Sequence, residues 1–468
     1  MRTFQDFEKD KQEGHLLDFL RDLISEHRSS PIVRTARDAD AYDRQENPTI
    51  KYFVQTIFNS NGMKVDNFTA SNSHIASNFF NTLNTQRANY SLGNGVTFKD
   101  ESTKQKLGID FDTVLKKAAR FALIHGVSFI FFNNDRCHYF KITEFAPLYD
   151  ESTGILRAGV RYYQIDHTKP MTAVLYEEDG ITVYRANDGE PLREIQPKHG
   201  YVKVTERIPI DDASEIIGYE NYGPLPIVPL WGSDLKQSTL VGMRESIDSY
   251  DLIRSGFAND LRDCAQVYWI VSGAMGMTQK DLQKFRDRLL IDHVALADTD
   301  NSAVTPYTQD IPYQARTEFL NQIRQQIYED FGGLNVSDFS SGTKTATEIQ
   351  AAYQPVDDRA DDFEYQIIQT VQQILRLIGI EDTPIFKRNR ITNQLEQVQM
   401  VMLEAEYLDD ETLLNKLPNI TPDEVKDILK RRDEQDANRM MQYELENQND
   451  NSDNEQGNEN NQNKNGNG

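Results

Sequence analysis

The sequence predicts an α+β fold that is mainly helical, and three observations carry that prediction. Apolar residues recur three or four apart through the second half of the chain, as at Leu240, Met243, Ile247, Tyr250, Ile253, Phe257 and Leu261. That is the period of an amphipathic helix. Between 127 and about 230, short runs rich in Val, Ile, Tyr and Phe alternate with turn residues: "VSFIFF", "CHYFKITEF", "GVRYYQI", "TAVLYEEDGITVYRAND" and "HGYVKVTERIPI". These read as antiparallel strands. Finally, "FGGLNVSDFSSGTKTATEIQAAY" (331–353) joins two helical segments with about a dozen residues of mostly Gly, Ser, Asp and Thr and one cation, Lys344. Helix connections usually take roughly 2–8 residues, so this loop asks for a reason.

Each element follows in order. Residues 1–88 are polar and mostly helical, with loops at "RSSP" and "NSNG". An α+β domain spans 89–232. It opens with "NYSLGNGVTFKD" as a turn into a strand, and "FDTVLKKAARFALIHG" follows as a helix ended by Gly126. In "FALIHGVSFIFF", Gly126 and Ser128 mark that helix end and a buried strand after it. A long helix is expected over 233–267, opened by a Ser–Asp cap. Residues 268–314 form a small insert, and 315–331 a second helix with Phe319, Ile323, Ile327 and Phe331 four apart. The polar loop is 332–345. Thr345 and Glu348 then make a capping box for a long helix over 346–384, with Pro355 expected to kink it. Residues 385–446 read as a helical cluster, with Thr421, Pro422, Asp423 and Glu424 as a helix start. The last stretch, 447–468, holds ten Asn and almost nothing apolar, so it is expected to be disordered.

The formal charge is −24. The stretch 447–468 holds four acids and one lysine, or −3, which leaves −21 on the rest. Such a surface repels nucleic acid unless a local cationic feature intervenes. Two cysteines, Cys137 and Cys264, build no disulfide framework and suit a reducing compartment. The N-terminal "MRTFQDFEKDKQEG" has no apolar core of a signal peptide, and the longest apolar run, 121–132, is too short to cross a bilayer.

No catalytic constellation stands out. His125, His138, His167, His199 and His293 have no zinc spacing, and "SLGNG" at 91–95 lacks the rest of a phosphate-cradle pattern. Asp357, Asp358, Asp361, Asp362 and Glu364 offer carboxylates for a divalent cation, but helical spacing spreads them around the helix and favours a solvated face. Asp248, Asp251, Asp260 and Asp263 form a second acidic row, read either as plain solvent exposure or as a wall that must not hold DNA.

The order of parts resembles a tailed-bacteriophage portal protein, the head–tail connector, of the type found in phages of Gram-positive bacteria. The resemblance rests on "NYSLGNGVTFKD", on "GPLPIVPLWGSDLKQSTLVGMRESIDSYDLIRSGFANDLRDCAQVYWIVSG" (223–273) and on "TPYTQDIPYQARTEFLNQIRQQIYEDFGG". "DFSSGTKTATEI" and "IFKRNRITNQLEQVQMVMLEAEYLDDETLLNKLPNITPDEVKDILKRRDEQ" complete it, over about 380 residues in all.

The resemblance implies a wing (89–232), a stem helix (233–267), a clip (268–314), a second stem helix (315–331), a tunnel loop (332–345), a long wing helix (346–384) and a helical crown (385–446). It implies a ring, most often of twelve subunits, at one capsid vertex, assembled in the host cytoplasm and with no membrane role. Double-stranded DNA enters and leaves through the axis of that ring. The resemblance implies no catalysis and no cofactor. The expected partners are the terminase large subunit, head-completion and tail adaptors, and the major capsid and scaffolding proteins. On this reading Ser340, Ser341, Gly342, Thr343 and Lys344 face DNA, and Asp248, Asp251, Asp260 and Asp263 line the channel. Lys280, Lys284, Arg286, Arg288, Asp298 and Asp300 belong to the docking clip. The family's loop is usually followed by a Ser-Gly-x-Ala-Leu type stretch, whereas here Ser341–Gly342 leads into Thr343–Lys344–Thr345–Ala346. Two rivals remain: a non-viral helical scaffold that oligomerises without touching DNA, and an enzyme with a metal site at Asp357–Asp362.

Overall fold

The computed structural model of the chain describes residues 2–439, except 59–61, 68–70, 135, 167, 188–189, 208–213, 265–267, 273–277, 282, 285–302, 308–312, 336–345, 391–400, 406, 418–419, 421–423, 426 and 436. It is a mixed α+β structure. About half of the described residues are helical, fewer than a mainly helical class implies, because β-strands fill most of 127–231. Two compact units are present, residues 1–341 with 352–389, and residues 342–351 with 390–468.

In the first unit, helices α1 (Phe4–Gln12), α2 (Leu16–Ser29), α3 (Pro31–Asp43) and the single turn α4 (Pro48–Lys51) lead the chain. The predicted helical lead stops there. The described residues of 52–78 hold no helix and include a hairpin, β1 (Thr56–Phe58) and β2 (Lys64–Asp66). Helix α5 (Phe79–Leu92), β3 (Val96–Thr97), α6 (Glu101–Leu107) and α7 (Phe111–His125) follow. Gly126 ends α7 at φ +90°, and a Cβ there would come within 2.8 Å of the Gln237 backbone, so glycine is required.

The strand block folds as a five-stranded and a three-stranded antiparallel sheet and a separate two-stranded hairpin. Strands β4 (Val127–Asn133), β5 (Arg136–Lys141), β6 (Phe145–Tyr149), β7 (Leu156–Tyr163), β8 (Met171–Glu177), β9 (Gly180–Ala186) and β10 (Arg193–His199) come first. The hairpin β11 (Val202–Arg207)–β12 (Ser214–Glu220) and the strand β13 (Ile227–Trp231) follow. Strands β6 to β10 form a meander in sequence order, while β4 lies between β13 and β5. The predicted buried strand is β4. Ile130 and Phe132 face one core, and Val127, Phe129 and Phe131 face another, as the two-residue period requires. A third core seats Phe7, Phe19, Leu20, Leu23 and Ile24 of α1 and α2 on the meander.

Helix α8 (Arg244–Cys264) starts later than the sequence suggested. Residues 233–243 turn instead. The Ser238 hydroxyl donates to the Ile124 carbonyl and accepts from the Leu240 amide (3.1 Å), and Gly242 takes φ +87°. Strands β14 (Tyr268–Ser272) and β15 (Ala303–Tyr307) pair, and α9 (Tyr313–Phe331) returns antiparallel in sequence to the insert's start. A fourth core joins α3, α5, α8 and α9 through Tyr42, Phe80, Leu83, Ile247, Ile323, Ile327 and Phe331. Helix α10 (Ala346–Leu377) runs unbroken through Pro355, and Phe363, Ile367, Val371 and Ile374 bury its predicted stripe against α7 and β4. Strand β16 (Ile385–Phe386) pairs with β3.

The second unit contains α11 (Asp410–Lys416), whose N-cap Asp409 accepts from the Thr412 amide at 3.2 Å. Lys416 pairs with Glu404 at 2.8 Å. The predicted helix start at Thr421–Asp423 and the stretch 447–468 lie outside the described residues.

Candidate functional site

The polar loop leaves α9 through two glycines, the first held against α10 and the second against α5. Gly332 adopts φ +66°, and a Cβ on it would meet Arg359 Cγ at 2.9 Å and the Pro355 carbonyl at 3.1 Å. A Cβ on Gly333 would lie 2.5 Å from Leu83 Cδ2. Only glycine lets the chain pass this close. The Arg87 guanidinium lies 3.9 Å over the Phe331 ring and donates to the Phe331 carbonyl, at the C-terminal end of α9 where a cation is favoured. The Gln86 side chain brackets Leu334, accepting from its amide and donating to its carbonyl, both at 2.9 Å. These anchors were missed from sequence. Their signal was a Gln–Arg pair on a helix, which looks like ordinary surface.

Past the loop, Tyr353 of α10 is buried and stacks on Tyr90 of α5, with ring centroids 5.9 Å apart. The Tyr90 hydroxyl donates to Asp357 at 2.6 Å. Both ends of the loop are therefore seated on α5. Ser340, Ser341, Gly342, Thr343 and Lys344 lie between these anchors and outside the described residues. Of the clip candidates, Lys280 and Lys284 are exposed, while Arg286, Arg288, Asp298 and Asp300 lie outside the described residues.

Asp248 and Asp251 of α8 are engaged inside the subunit, which corrects for these two the expectation of a solvent-facing row. Asp248 accepts from the hydroxyls of Tyr42 and Thr49 (2.7 Å to Thr49) and lies 3.8 Å from Arg244. Asp251 is 0% exposed and so cannot line a channel. It accepts from the Asn47 side-chain amide and from the Ser77 backbone amide (2.8 Å). Burial pushes its carboxyl above the usual range, and the neighbouring Asp248 adds to the rise. Asp260 pairs with Arg316 of α9. The Asp263 side chain is outside the described residues.

Asp251 is the first rung of a ladder. Ser255 accepts from the Ile75 amide at 3.0 Å, and Asn259 from the Ser73 amide at 2.7 Å. The register has a simple cause. Two residues of extended chain advance roughly 6.6 Å and four residues of helix roughly 6 Å. Amides of 77, 75 and 73 therefore match acceptors at 251, 255 and 259, and the strap 73–77 is fixed along one side of α8.

On α10, Arg388 gathers three of the clustered acids: Asp357 at 3.0 Å, Glu364 at 2.9 Å, and Asp361. The Glu364 contact leads in holding the guanidinium charged. A cation of the chain's own occupies the place that the metal reading needed. Among the described residues, no group of three or more His, Cys, Asp or Glu converges as a metal site. No described helix is long and apolar enough to cross a membrane.

Comparisons with known proteins agree with this arrangement of parts. The portal protein of Bacillus phage SPP1 is 23% identical over 414 residues, covering 82% of this chain and 79% of that protein. The portal protein of Clostridium phage phiCD119 is 24% identical over 206 residues, covering 42% of this chain and 46% of that protein. The chain thus spans less than half the length of that second relative. Among solved structures, the neck of an empty GTA particle is similar at a TM-score of 0.42 and 10% identity, covering 73% of this chain and 90% of that one. The neck of the native GTA particle gives a TM-score of 0.39. A family described as "Phage portal protein, SPP1 Gp6-like" matches residues 40–438, and the chain belongs to that family.

Proposed function

We propose that copies of this chain close into a ring, of twelve subunits, at one vertex of a phage capsid, and that double-stranded DNA is packaged and ejected through its axis. The chain is then a structural part of the virion, the head–tail connector, and not an enzyme. One observation carries the reading beyond family membership. The polar loop is rooted at both ends on α5, by Gly333, Gln86 and Arg87 on one side and Tyr353 on the other.

Repeated by cyclic symmetry, such loops make a collar around the axis. Duplex DNA offers that collar one negative charge per roughly 1.7 Å. Ser340, Ser341, Gly342 and Thr343 give neutral contacts, and Lys344 adds one weak phosphate contact per subunit. The net charge of −24 repels the rod elsewhere. Asp263 is the acid of α8 that the proposal keeps for the channel wall, since Asp248, Asp251 and Asp260 have partners within the subunit. The clip, through Lys280, Lys284, Arg286, Arg288, Asp298 and Asp300, docks the terminase large subunit and later the head-completion and tail adaptors. Capsid and scaffolding proteins contact the outside of the ring.

Lys344→Ala tests the collar. Rings of unchanged shape by negative-stain microscopy are expected, with less DNA packaged or retained per particle. Wild-type packaging and retention in that variant would remove Lys344 from the mechanism.

A further inference from the structure

Two apolar features of the first unit have no cover in a single copy, and they lie on different sides of the same helix. One is the β1–β2 hairpin. Among the described residues its strands pair only with each other, and β2 is exposed at all three positions. Phe58 is 75% exposed, and Tyr52, Phe53, Val54 and Val65 are exposed with it. A lone two-stranded hairpin is marginal in water without a surface to pack on. Yet its base is held in place. Gln55 accepts from the Asn67 amide at 2.7 Å, the Phe53 carbonyl contacts the His74 ring nitrogen at 2.8 Å, and the strap that follows is laddered onto α8.

The other feature is a groove of about 440 Å³ between α8 and α9, lined by Ile253, Gly256, Asp260, Ala315, Arg316 and Phe319. Phe319 continues the stripe of Ile323 and Ile327 but is 48% exposed. At about 100° per residue, the groove residues of α8 lie roughly 130° around the helix from the strap residues 251, 255 and 259. A plug on one flank and a socket on the other is the layout of a head-to-tail contact, which closes into a ring when the rotation fits.

We propose that the Phe58 face of the hairpin seats in the α8–α9 groove of the next copy. The occupant is a second copy of this chain because the charges match as well as the apolar surface. Phe58 pairs across the hairpin with Lys64, and Thr56 with Asp66, so the face carrying Phe58 shows one cation and one anion. The groove shows Asp260 and Arg316. Asp260 and Arg316 pair with each other there, so Lys64 beside Asp260 and Asp66 beside Arg316 extend that pair into an alternating row of four charges around the seated ring. The inference rests on the ring reading above, and the test separates the two.

The experiment uses the purified full-length chain. Phe58→Ser and Phe319→Ser both alter exposed side chains, so wild-type thermal unfolding is expected. The concentration for half-assembly, read by native mass spectrometry, should rise about tenfold or more, as for an aromatic anchor at an interface. The double variant Phe58→Cys/Phe319→Cys should give an oxidised ladder of covalent oligomers on a denaturing gel. The control Phe58→Cys/Ile155→Cys, whose second site is exposed on another element, should give none. Wild-type rings together with normal assembly of both serine variants, or with no ladder from the first cysteine pair, would overturn the hairpin–groove contact and leave the ring standing. Equal ladders from the control would overturn it as well. A wild-type chain that forms no ring at any concentration would remove the ring reading itself.

Discussion

Helices α8 and α10 each carry a row of carboxylates opposite an apolar stripe, yet the two rows are satisfied by different chemistry. On α8, Asp251 takes its hydrogen bonds from a side-chain amide and a backbone amide, both neutral, and is fully buried. On α10, Asp357, Asp361 and Glu364 share one guanidinium, Arg388, and Asp361 stays exposed. The first arrangement holds an extended strap to a helix at a fixed register. The second ties the segment after α10 back onto it by charge. A row of acids on a helix is thus no guide to where its charge goes, and the partner decides.

The largest effect expected from breaking this comparison is on α8. Asp251→Ala leaves the Ser77 N–H buried and without its acceptor and takes one of the two acceptors of the Asn47 amide, the Ser77 carbonyl at 3.3 Å remaining, which costs about 2 kcal/mol. Urea unfolding of the purified protein measures it, and raised hydrogen exchange at Ile75 and Ser77 should accompany the loss. Unchanged stability would mean that the strap is not held by the ladder. On α10, Arg388→Ala removes the common partner of three acids. Because Asp361 is 69% exposed and Arg388 21%, solvent screening reduces the cost below that of a fully buried group, to under about 2 kcal/mol.

Much of the fold was legible from local pattern. The run 127–132 has only one reading as a strand buried on both faces, and Gly126 marks the helix end because its φ suits no other residue. The stripe of α10 held because one helix face meets a continuous core. Where the reading failed, the deciding contact came from far along the chain. The strap that turns Asp251 inward lies 174 residues away at Ser77, and no local period reports it. A signal was present all the same: Asp251, Ser255 and Asn259 are three short acceptors spaced by four, which is a row suited to donors rather than to solvent. Phe319 shows the reverse error. Its spacing predicted burial, but within one subunit no layer covers that end of α9. The start of α8 was misplaced because the residues 233–243 have helical-looking apolar spacing, while Ser238 and Gly242 select turns.

The smallest effect sharpens the comparison most, because it separates the charge of Asp251 from its shape. Burial raises the folded-state pKa of Asp251 above its unfolded value of 3.8. Below that value the carboxyl is protonated in both states and folding carries no charge penalty. As pH rises through the raised folded pKa, the unfolded chain binds fewer protons than the folded one, and stability falls. Asp251→Asn removes the titration and keeps the shape. Its new amide has an acceptor at hand, since Asn47 Oδ1 is buried without a partner and the Asn47 side chain can turn to offer it. The stability of wild type relative to Asp251→Asn should therefore be greatest near pH 4 and decline toward pH 7. Urea midpoints for the two proteins across that range measure the difference, in which all other titrations cancel. Parallel curves for wild type and Asp251→Asn would show that the buried carboxyl is fully compensated by its two neutral donors, and the contrast between the helices would reduce to geometry alone.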